Sequence, residues 1–449
     1  MAQLEFLYTQ SQLQDIATTI VQKSLAKGAT SAQVELSESI STDVEILNQE
    51  IDNFETSHEN QLLISVFKGH KKGNIGISSI KNDNLDDVIQ QALDIAKYTE
   101  EDEANGLLEK EYIVQEMHSD LELYNPYAID NIELIRQAKE LEKIALEQDP
   151  RIKASDGSSI SLTRYNFVTA NSNGLLGGYQ TSRYSKYVSL IGENTFGMQT
   201  DYWYTSSRAY PELMHNQDLA AKAAQRVLRR LNKGEYVSGK PQVIFESSIA
   251  KSIIGSLMGA LSGGSLYRKL SFLNDSMKTQ IMPDWLTISE DPFILKGMAS
   301  CYFDNEGSQV KPREIIANGV VNGYLLSSYS ARKMNLPSTG NAGGNHNIIV
   351  SHNFNGDLIK LAQQMQNGII IIETIGHGLN MVSGDYSVGA SGLVVINGVI
   401  SHFVDNLTIA GNMKNIYQNI LAIANDYEND SVRCGSMLIN SGVIQVSSK

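Results

Sequence analysis

The stretch from Val243 to Phe272, VIFESSIAKSIIGSLMGALSGGSLYRKLSF, constrains this chain most. Val243 to Phe245 read as a short strand that feeds a helix. Ser247 or Ser248 would cap it, because a serine hydroxyl can accept a bond from an unpaired first-turn amide. Ile249, Ile253, Ile254, Leu257, Met258 and Leu261 recur at helical period on one face. Ser248, Ser252, Gly255, Gly259 and Ser262 make a stripe of small residues on the other. A glycine inside a helix costs roughly 1 kcal/mol relative to alanine. Two on one face therefore predict a close approach by another backbone, a partner protein or a substrate.

Length bounds the rest. A chain of 449 residues can hold two or three domains, each with its own core. Lys and Arg number 36 against 50 Asp and Glu, a net charge of −14. That balance repels nucleic acid and anionic membranes, and no local basic patch offsets it. The opening MAQLEFLYTQSQLQDI has no basic segment followed by an apolar one, so it does not read as a secretory leader. No apolar run approaches the ~18 residues of a membrane span. Two cysteines, Cys301 and Cys434, make no disulfide framework. The expected location is the cytoplasm, with neither nucleic acid nor membrane as partner.

Along the chain, residues 11–27 read as an amphipathic helix ended by Gly28. AQVELSES, DVEILNQEIDNFE and a hairpin turned at Gly69 to Gly73 read as strands, and residues 84–98 as a second helix. The order α-β-β-β-α predicts helices on one face of an antiparallel sheet. The acidic run Glu100 to Glu103 reads as a solvated connector. A third helix at 130–148 precedes long Tyr-, Thr- and Ser-rich strands, whose tyrosines suit cross-strand packing better than peptide gripping. A fourth helix covers 216–233. Beyond it the chain is glycine-rich and mostly β, with YLLSSYSARK, NHNIIVSHN, GIIIIETIG and SGLVVINGVISHFV as strands and one further helix at 355–367. Asn318 and Asn397, each followed by glycine, mark hairpin turns. The expected fold class is α+β. It has an N-terminal domain at 1–118, a central segment at 119–235 that packs with it, and a C-terminal mostly-β domain at 236–449.

Catalytic motifs are weak. No H-E-x-x-H or Cys-x-x-Cys occurs among the eight histidines and two cysteines; His346, His352, His377 and Cys434 could gather only through the fold. Ser248 with Lys251, and Ser330 with Lys333, fit S-x-x-K. The nearest K-T-G-like strand, Ser338-Thr339-Gly340, lacks the lysine. No phosphate loop matches. What stands out is a series of polar, glycine-rich runs: SGGSLYRKLSF, KGMASCYFDNEG, STGNAGGNHN, SGDYSVGASG, TIAGN and CGSM. They have the composition of loops that shape a groove or an interface.

Together these runs closely resemble the TldD/PmbA family, and within it the PmbA (TldE) branch. The resemblance is almost continuous from Val243 to Cys434. It implies a cytoplasmic proteolytic pair, in which a TldD-type zinc metallopeptidase works with its PmbA/TldE relative. Such pairs trim unfolded or leader peptides, a microcin leader among them, and the family was first named as a modulator of DNA gyrase. TldD-type members carry H-E-x-x-x-H on the helix after the strand matching Val243 to Phe245. Aligned here, the two histidine positions fall on Gly255 and Ala260 and the glutamate position on Ser256, so none can bind zinc or act as a base. Cys434 stands where the family places a cysteine ligand, alone.

The resemblance therefore implies a PmbA/TldE-type subunit with no catalytic residue, no metal and no cofactor of its own, and with zinc on a TldD-type paralogue. The peptide or partner would be held by Ser338, Thr339, Gly340, Asn341 and His346 in one loop, and by Gly384, Asp385 and Ser391 in another. Bulky residues at Gly255 or Gly259 would impair packing or assembly. Two alternatives stay open: a metallopeptidase with ligands drawn from His346, His352, His377 or Cys434, and a non-proteolytic regulator of gyrase; the chain could also form a homodimer.

Overall fold

The computed structural model describes residues 5–80 and 84–448. Met1 to Leu4, on which the reading of the chain's start partly rests, lie outside the described residues. Helix α1 (Gln10–Ala26) opens with a capping box: Thr9 accepts from the Gln12 N–H while the Gln12 side chain accepts from the Thr9 N–H. Strands β1 (Ser31–Leu47), β2 (Glu50–Lys68) and β3 (Lys71–Ile77) follow, turned at Gly69 and His70, and then α2 (Leu85–Tyr98). Helix α3 (Asn131–Leu146), strands β4 (Ile152–Asn171), β5 (Leu176–Asn194) and β6 (Gly197–Ser207), and helix α4 (Asn216–Arg229) complete the first half.

All six strands make one antiparallel sheet in the order β3-β2-β1-β4-β5-β6, which continues across position 118 because β1 pairs with β4 from Gln33↔Asn171 to Ile46↔Ser158. Alternation decides which face is covered. Val34 and Leu36 pack under α1 and α2, and Val44 and Ile46 under α3; all are even-numbered positions of β1, hence one face. Val188, Leu190 and Trp203 continue that face under α4. The opposite face carries Ser, Thr and Tyr, with Ser41 hydrogen-bonded to Ser57 across strands. Tyrosines pack across strands there as expected: Tyr187 against Tyr202 at 5.4 Å between centroids, and Tyr179 edge-on to Phe167 at 4.6 Å.

The second half opens with β7 (Gln242–Phe245), α5 (Ser247–Ala260) and α6 (Gly263–Tyr267). Then come β8 (Ile288–Asp291), β9 (Arg313–Ala317), β10 (Val320–Val321), α7 (Ser328–Met334), β11 (Asn347–Val350), α8 (Leu358–Met365) and β12 (Gly368–Ile375). The chain ends with β13 (Asp385–Ile396), β14 (Val399–Asn412), α9 (Met413–Gln418), β15 (Ile420–Ile423), β16 (Val432–Arg433), β17 (Met437–Ile439) and β18 (Gln445–Ser448). They build a seven-stranded sheet, β15-β17-β7-β12-β13-β14-β18, and a five-stranded one, β10-β9-β8-β11-β16. The seven-stranded sheet is covered on both sides. Val243, Phe245, Ile369 and Ile371 face a core shared with α5, while Ile244, Ile370 and Ile372 face α8. Burial on both faces explains why GIIIIETIG is a continuous apolar run rather than an alternating one.

The α+β class stands, and both Asn-Gly turns have the left-handed backbone that a tight hairpin requires: φ is 49° and 77° at Asn318 and Gly319, and 51° and 76° at Asn397 and Gly398. Several local readings are corrected. YLLSSYSARK is not a strand; its second half is α7, started by Ser327, whose hydroxyl accepts from the Ser330 N–H. Helices α6 and α9 were not foreseen. The cap of α5 is Glu246, not Ser247 or Ser248, and its carboxylate makes no capping bond because arginines hold it.

One glycine sets the spacing of the first layer. A Cβ at Gly73 in β3 would lie 2.1 Å from the Ala92 carbonyl oxygen and 2.6 Å from the Ala96 amide nitrogen, both backbone atoms of α2. Gly73→Ala must push α2 off the sheet and is expected to cost about 1–3 kcal/mol, read as a lower urea midpoint.

Candidate functional site

The small-residue face of α5 is open. Gly255 is exposed, and a Cβ there would meet nothing within 4 Å; at Gly259 it would meet only the flexible tip of Met381, at 3.0 Å. The exposed Ser252 and half-buried Ser256 turn their hydroxyls back onto the carbonyls of Ile249 and Ser252. Among the described residues no backbone crosses the face at Gly255 or Gly259, so the close approach expected at those two glycines is not made there. A groove of about 430 Å³ runs along it instead, closed on its far side by Asn341 and by Gly343 to Asn345. The structure thus brings the helix stripe and one of the two expected loops together.

That loop is held from within. Glu290, 1% exposed, accepts from Arg313 Nε, Asn341 Nδ2 and the His346 N–H, each at 2.8 Å. Arg313 and Thr339 both donate to Asn341 Oδ1, at 2.7 and 2.8 Å, and Thr339 also accepts from the Leu326 N–H. Ser338 donates to the Leu326 carbonyl at 3.3 Å. His346 Nε2 lies 2.9 Å from the Gly340 carbonyl, which can only accept, so Nε2 bears the proton and Nδ1 accepts from the Cys301 thiol at 3.2 Å. Burial, with Asp304 and Glu290 nearby, pushes that thiol up to about 12. The pair is a structural clasp, not a nucleophile and base. Asn341 and His346 shape the groove from behind, and the exposed backbone of Gly343 and Gly344 faces it.

The other expected loop lies beside the groove. Gly384, at φ 80°, packs on the Phe272 ring, and its carbonyl accepts from the Met413 N–H. Asp385 accepts from Asn412 and Ser383, bonds that hold its carboxyl below the usual range. Ser391 is buried inside β13. None of the three lines the groove; Met381 alone reaches toward it.

The positions on which the resemblance aligns a relative's metal motif are equally clear. Gly255 faces open space, Ser256 offers a hydroxyl, and Ala260 is buried in the core. Cys434 is buried, its thiol pushed up by burial, and it lines a different cleft from Gly255. His352 and His377 are exposed and His346 is occupied as described. Among the described residues no three His, Cys, Asp or Glu side chains gather as a metal site. This donor set does not fit zinc.

The feature that sequence reasoning missed is a second cleft, of about 560 Å³, between the six-stranded sheet and the C-terminal part. Its floor is an ion network. Glu246 accepts from Arg226 at 2.9 Å and from Arg229 at 2.6 Å; Asp201 accepts from Arg226 at 3.1 Å and from Arg230 at 2.7 Å; Arg230 also reaches Glu373 at 2.8 Å. Burial would raise the Glu246 carboxyl, but Arg229 and Arg226 overcome it and hold the group at about 2. The spacing of Arg226, Arg229 and Arg230, which places them on neighbouring turns of α4, is the sequence signal that could have found it. Lys251 donates to Tyr204 and Asp430 at 2.7 and 2.8 Å, which keeps its ammonium charged and unable to serve as a base for Ser248. Lys333 is likewise paired, with Asp102.

Sequence profiles divide the chain in the same order: the PmbA/TldA metallopeptidase domain 1 matches residues 32–96, the central domain 124–231 and the C-terminal domain 238–446. The "Metalloprotease PmbA homolog" of Haemophilus influenzae is 40% identical over 415 residues, 92% of each chain. A TldD homologue of Buchnera aphidicola is 24% identical over 254 residues, 53% of this chain and 52% of its own. Among solved structures, a candidate modulator of DNA gyrase from Bacteroides thetaiotaomicron superposes with a TM-score of 0.91 at 26% identity, covering 97% of this chain and 98% of its own. TldE from Thermococcus kodakarensis shares the fold, with a TM-score of 0.85 at 18% identity over 96% of this chain and 100% of its own. Three consecutive parts of this kind define a metallopeptidase-type architecture. The chain belongs to the PmbA/TldD family.

Two outcomes follow from this geometry. Gly255→Ala adds a methyl to open space in an exposed helix interior and is expected to stabilise the chain by about 0.5–1 kcal/mol, seen as a raised urea midpoint. Glu246→Ala leaves the part-buried Arg229 guanidinium without its carboxylate and Arg226 with Asp201 alone, and is expected to cost about 3–5 kcal/mol. Because the Glu246 carboxyl is depressed in the folded state, its contribution is complete above about pH 4.5, the ordinary glutamate range, and fades as pH falls toward 2. The gap between parent and variant stability should therefore narrow over that window in acid titrations.

Proposed function

We propose that this chain is the PmbA/TldE-type subunit of a two-chain cytoplasmic peptidase, with zinc and bond cleavage on a TldD-type partner. The observation that carries the reading is the pair of positions Gly255 and Ala260. On this helix the resemblance calls for two histidines; one position faces open space and the other is buried in the core. Ser256 at the glutamate position cannot take a proton from water at neutral pH. A lone buried thiol at Cys434 supplies one ligand where three are needed. The open face of α5 and the rigid loop beyond it leave room for a partner or a peptide where a catalytic relative would hold its metal. The substrate class is an extended or unfolded peptide, enclosed between the two subunits.

Among the described residues no helix is long and apolar enough to cross a membrane. The test is to purify the chain alone and with a TldD-type paralogue from the same organism, measuring metal and cleavage of an unfolded polypeptide in each. Expected are a co-purifying pair, about one zinc per pair, and cleavage only by the pair. Stoichiometric zinc on the chain alone, lost together with activity in Cys434→Ala, would overturn the reading. Recovery of gyrase with no paralogue would replace it with regulation.

A further inference from the structure

The walls of the two clefts are held in different ways. Buried Glu290 pins the loop beside α5 through the Asn341 side chain and the His346 N–H. The segment that closes the second cleft has no such anchor at its middle. It runs from Ala424 to Ser431, between β15 and β16, and presents Glu428, Asn429 and Asp430 to the cleft. Its ends are fixed. The Asn425 N–H donates to the Gly356 carbonyl at 3.2 Å, and Asn425 Oδ1 accepts from the Gly356 N–H at 3.0 Å. Asp426 accepts from the Ser436 N–H and hydroxyl, both at 2.7 Å. At the other end the Ser431 carbonyl accepts from the Ile348 N–H at 2.7 Å, where β16 joins β11. Between these anchors the backbone of Tyr427 to Asp430 makes one bond, from the Asp430 N–H to the Glu428 carbonyl. Among the described residues none of its backbone groups bonds the rest of the chain.

Side chains hold the middle instead. Glu428 pairs with Lys222 of α4, Asp430 pairs with Lys251 of α5 at 2.8 Å, and Asn429 accepts from Arg433 at 2.6 Å. The two ion pairs come from different halves of the molecule, and both are part-exposed. Pairs so placed shift an equilibrium by about fivefold at most, and salt screens them. Lys222 has a second contact beneath the segment: its Nζ lies 4.2 Å from the Trp203 ring centroid, so one ammonium both ties Glu428 and covers the indole. Trp203 lines the cleft and is 7% exposed, and its Nε1–H is buried with no acceptor among the described residues. A buried donor left unpaired carries a cost that an entering acceptor would relieve.

We propose that Tyr427 to Asp430 form a strap that swings between its anchors at Asp426 and Ser431 and gates the second cleft, with Lys222–Glu428 and Lys251–Asp430 as its two latches. Closed, the strap ties α4 to the second half and covers Trp203. Open, it gives Glu428 and Asp430 to water, where carboxylates are well solvated, and draws Lys222 off the indole. The bonds of Ser436 and Ile348 lie outside the moving part, so both sheets keep their register. Weak latches leave the two states close in free energy, and a ligand that fits only the open cleft shifts the balance toward opening. This goes beyond the proposed subunit role, since the strap controls access wherever zinc and cleavage reside.

The experiment measures acrylamide quenching of Trp203 fluorescence in a Trp285→Phe chain, Trp285 being the other of the two tryptophans. Salt is raised from about 0.02 M to about 0.5 M, which shortens the reach of exposed charges several-fold. The quenching constant is expected to rise roughly twofold or more over that range. The chain that also carries Glu428→Gln and Asp430→Asn should show the high value already at low salt, with no further rise and a melting midpoint near the parent's. The reciprocal Trp203→Phe chain reports on Trp285, half-buried against the core of the second half, and its quenching should not respond. Should Trp285→Phe fail to fold, total quenching of the two-tryptophan chain, with and without the paired carboxylate substitutions, gives the same comparison. Salt-independent quenching of Trp203 would overturn the proposal. So would an equal salt response in the chain lacking both carboxylates, which would put the opening in the arginine network, or a parallel response at Trp285, which would mean that the whole chain loosens.

Discussion

Three arginines on one helix hold the two halves of the molecule in register. Arg226, Arg229 and Arg230 leave α4 and reach a strand of the first sheet, the strand–helix junction of the second half, and β12. Burying such ions is costly, and replacing them with apolar residues can stabilise a protein as well. What apolar contacts cannot do is fix a direction. A guanidinium forked between two carboxylates accepts one geometry, so Asp201 and Glu246 fix how the layers meet. Trp203 lies under this network, with the Arg226 guanidinium 4.8 Å from its ring centroid. The cleft above it inherits its shape from that arrangement.

The same division of labour appears around Glu290. One buried carboxylate gathers an arginine, an asparagine and a backbone amide, and so turns a glycine-rich loop into a fixed wall. The polar residues that make STGNAGGNHN distinctive are spent mostly on the loop itself. Its glycines at 343 and 344, with φ of 101° and 120°, give the backbone the path that the clasp requires. The groove beside α5 is consequently lined by backbone and small side chains, with few groups able to select a ligand by charge.

Much of this was legible from the sequence because it depends on local pattern. The helices of the first half, the hairpin at Gly69, the Asn-Gly turns and the strand–helix opening at Val243 all follow from period and turn chemistry. The tyrosine-rich strands declared a wet face. Other features were illegible for physical reasons. Helix α7 has no apolar period and starts on a serine cap, so its Ser-Tyr run reads equally as strand. Glu246 looked like a residue ahead of a cap because its partners Arg226 and Arg229 lie on another helix. The small stripe on α5 was read as a sign of close approach, yet a helix glycine facing open space has the same sequence signature as one facing a neighbour. Helical period located the stripe and the family resemblance supplied a candidate reason for it, but what stands across from it is decided by parts of the chain far away in sequence.

The order of strands in the first sheet also governs how the chain comes into being. Strand β1 has β2 as one neighbour immediately after it, but its other neighbour, β4, begins about 100 residues later. At ribosomal speeds of ~5–20 residues per second, roughly ten seconds separate the two. Through that interval a seventeen-residue edge carries unpaired amides with nothing yet made to cover it. Its odd-numbered positions Glu35, Ser37, Ser39 and Ser41 keep one face of that edge strand hydrophilic. The polar face of the finished sheet therefore doubles as protection during synthesis, when a more apolar strand would be free to pair with a nascent neighbour.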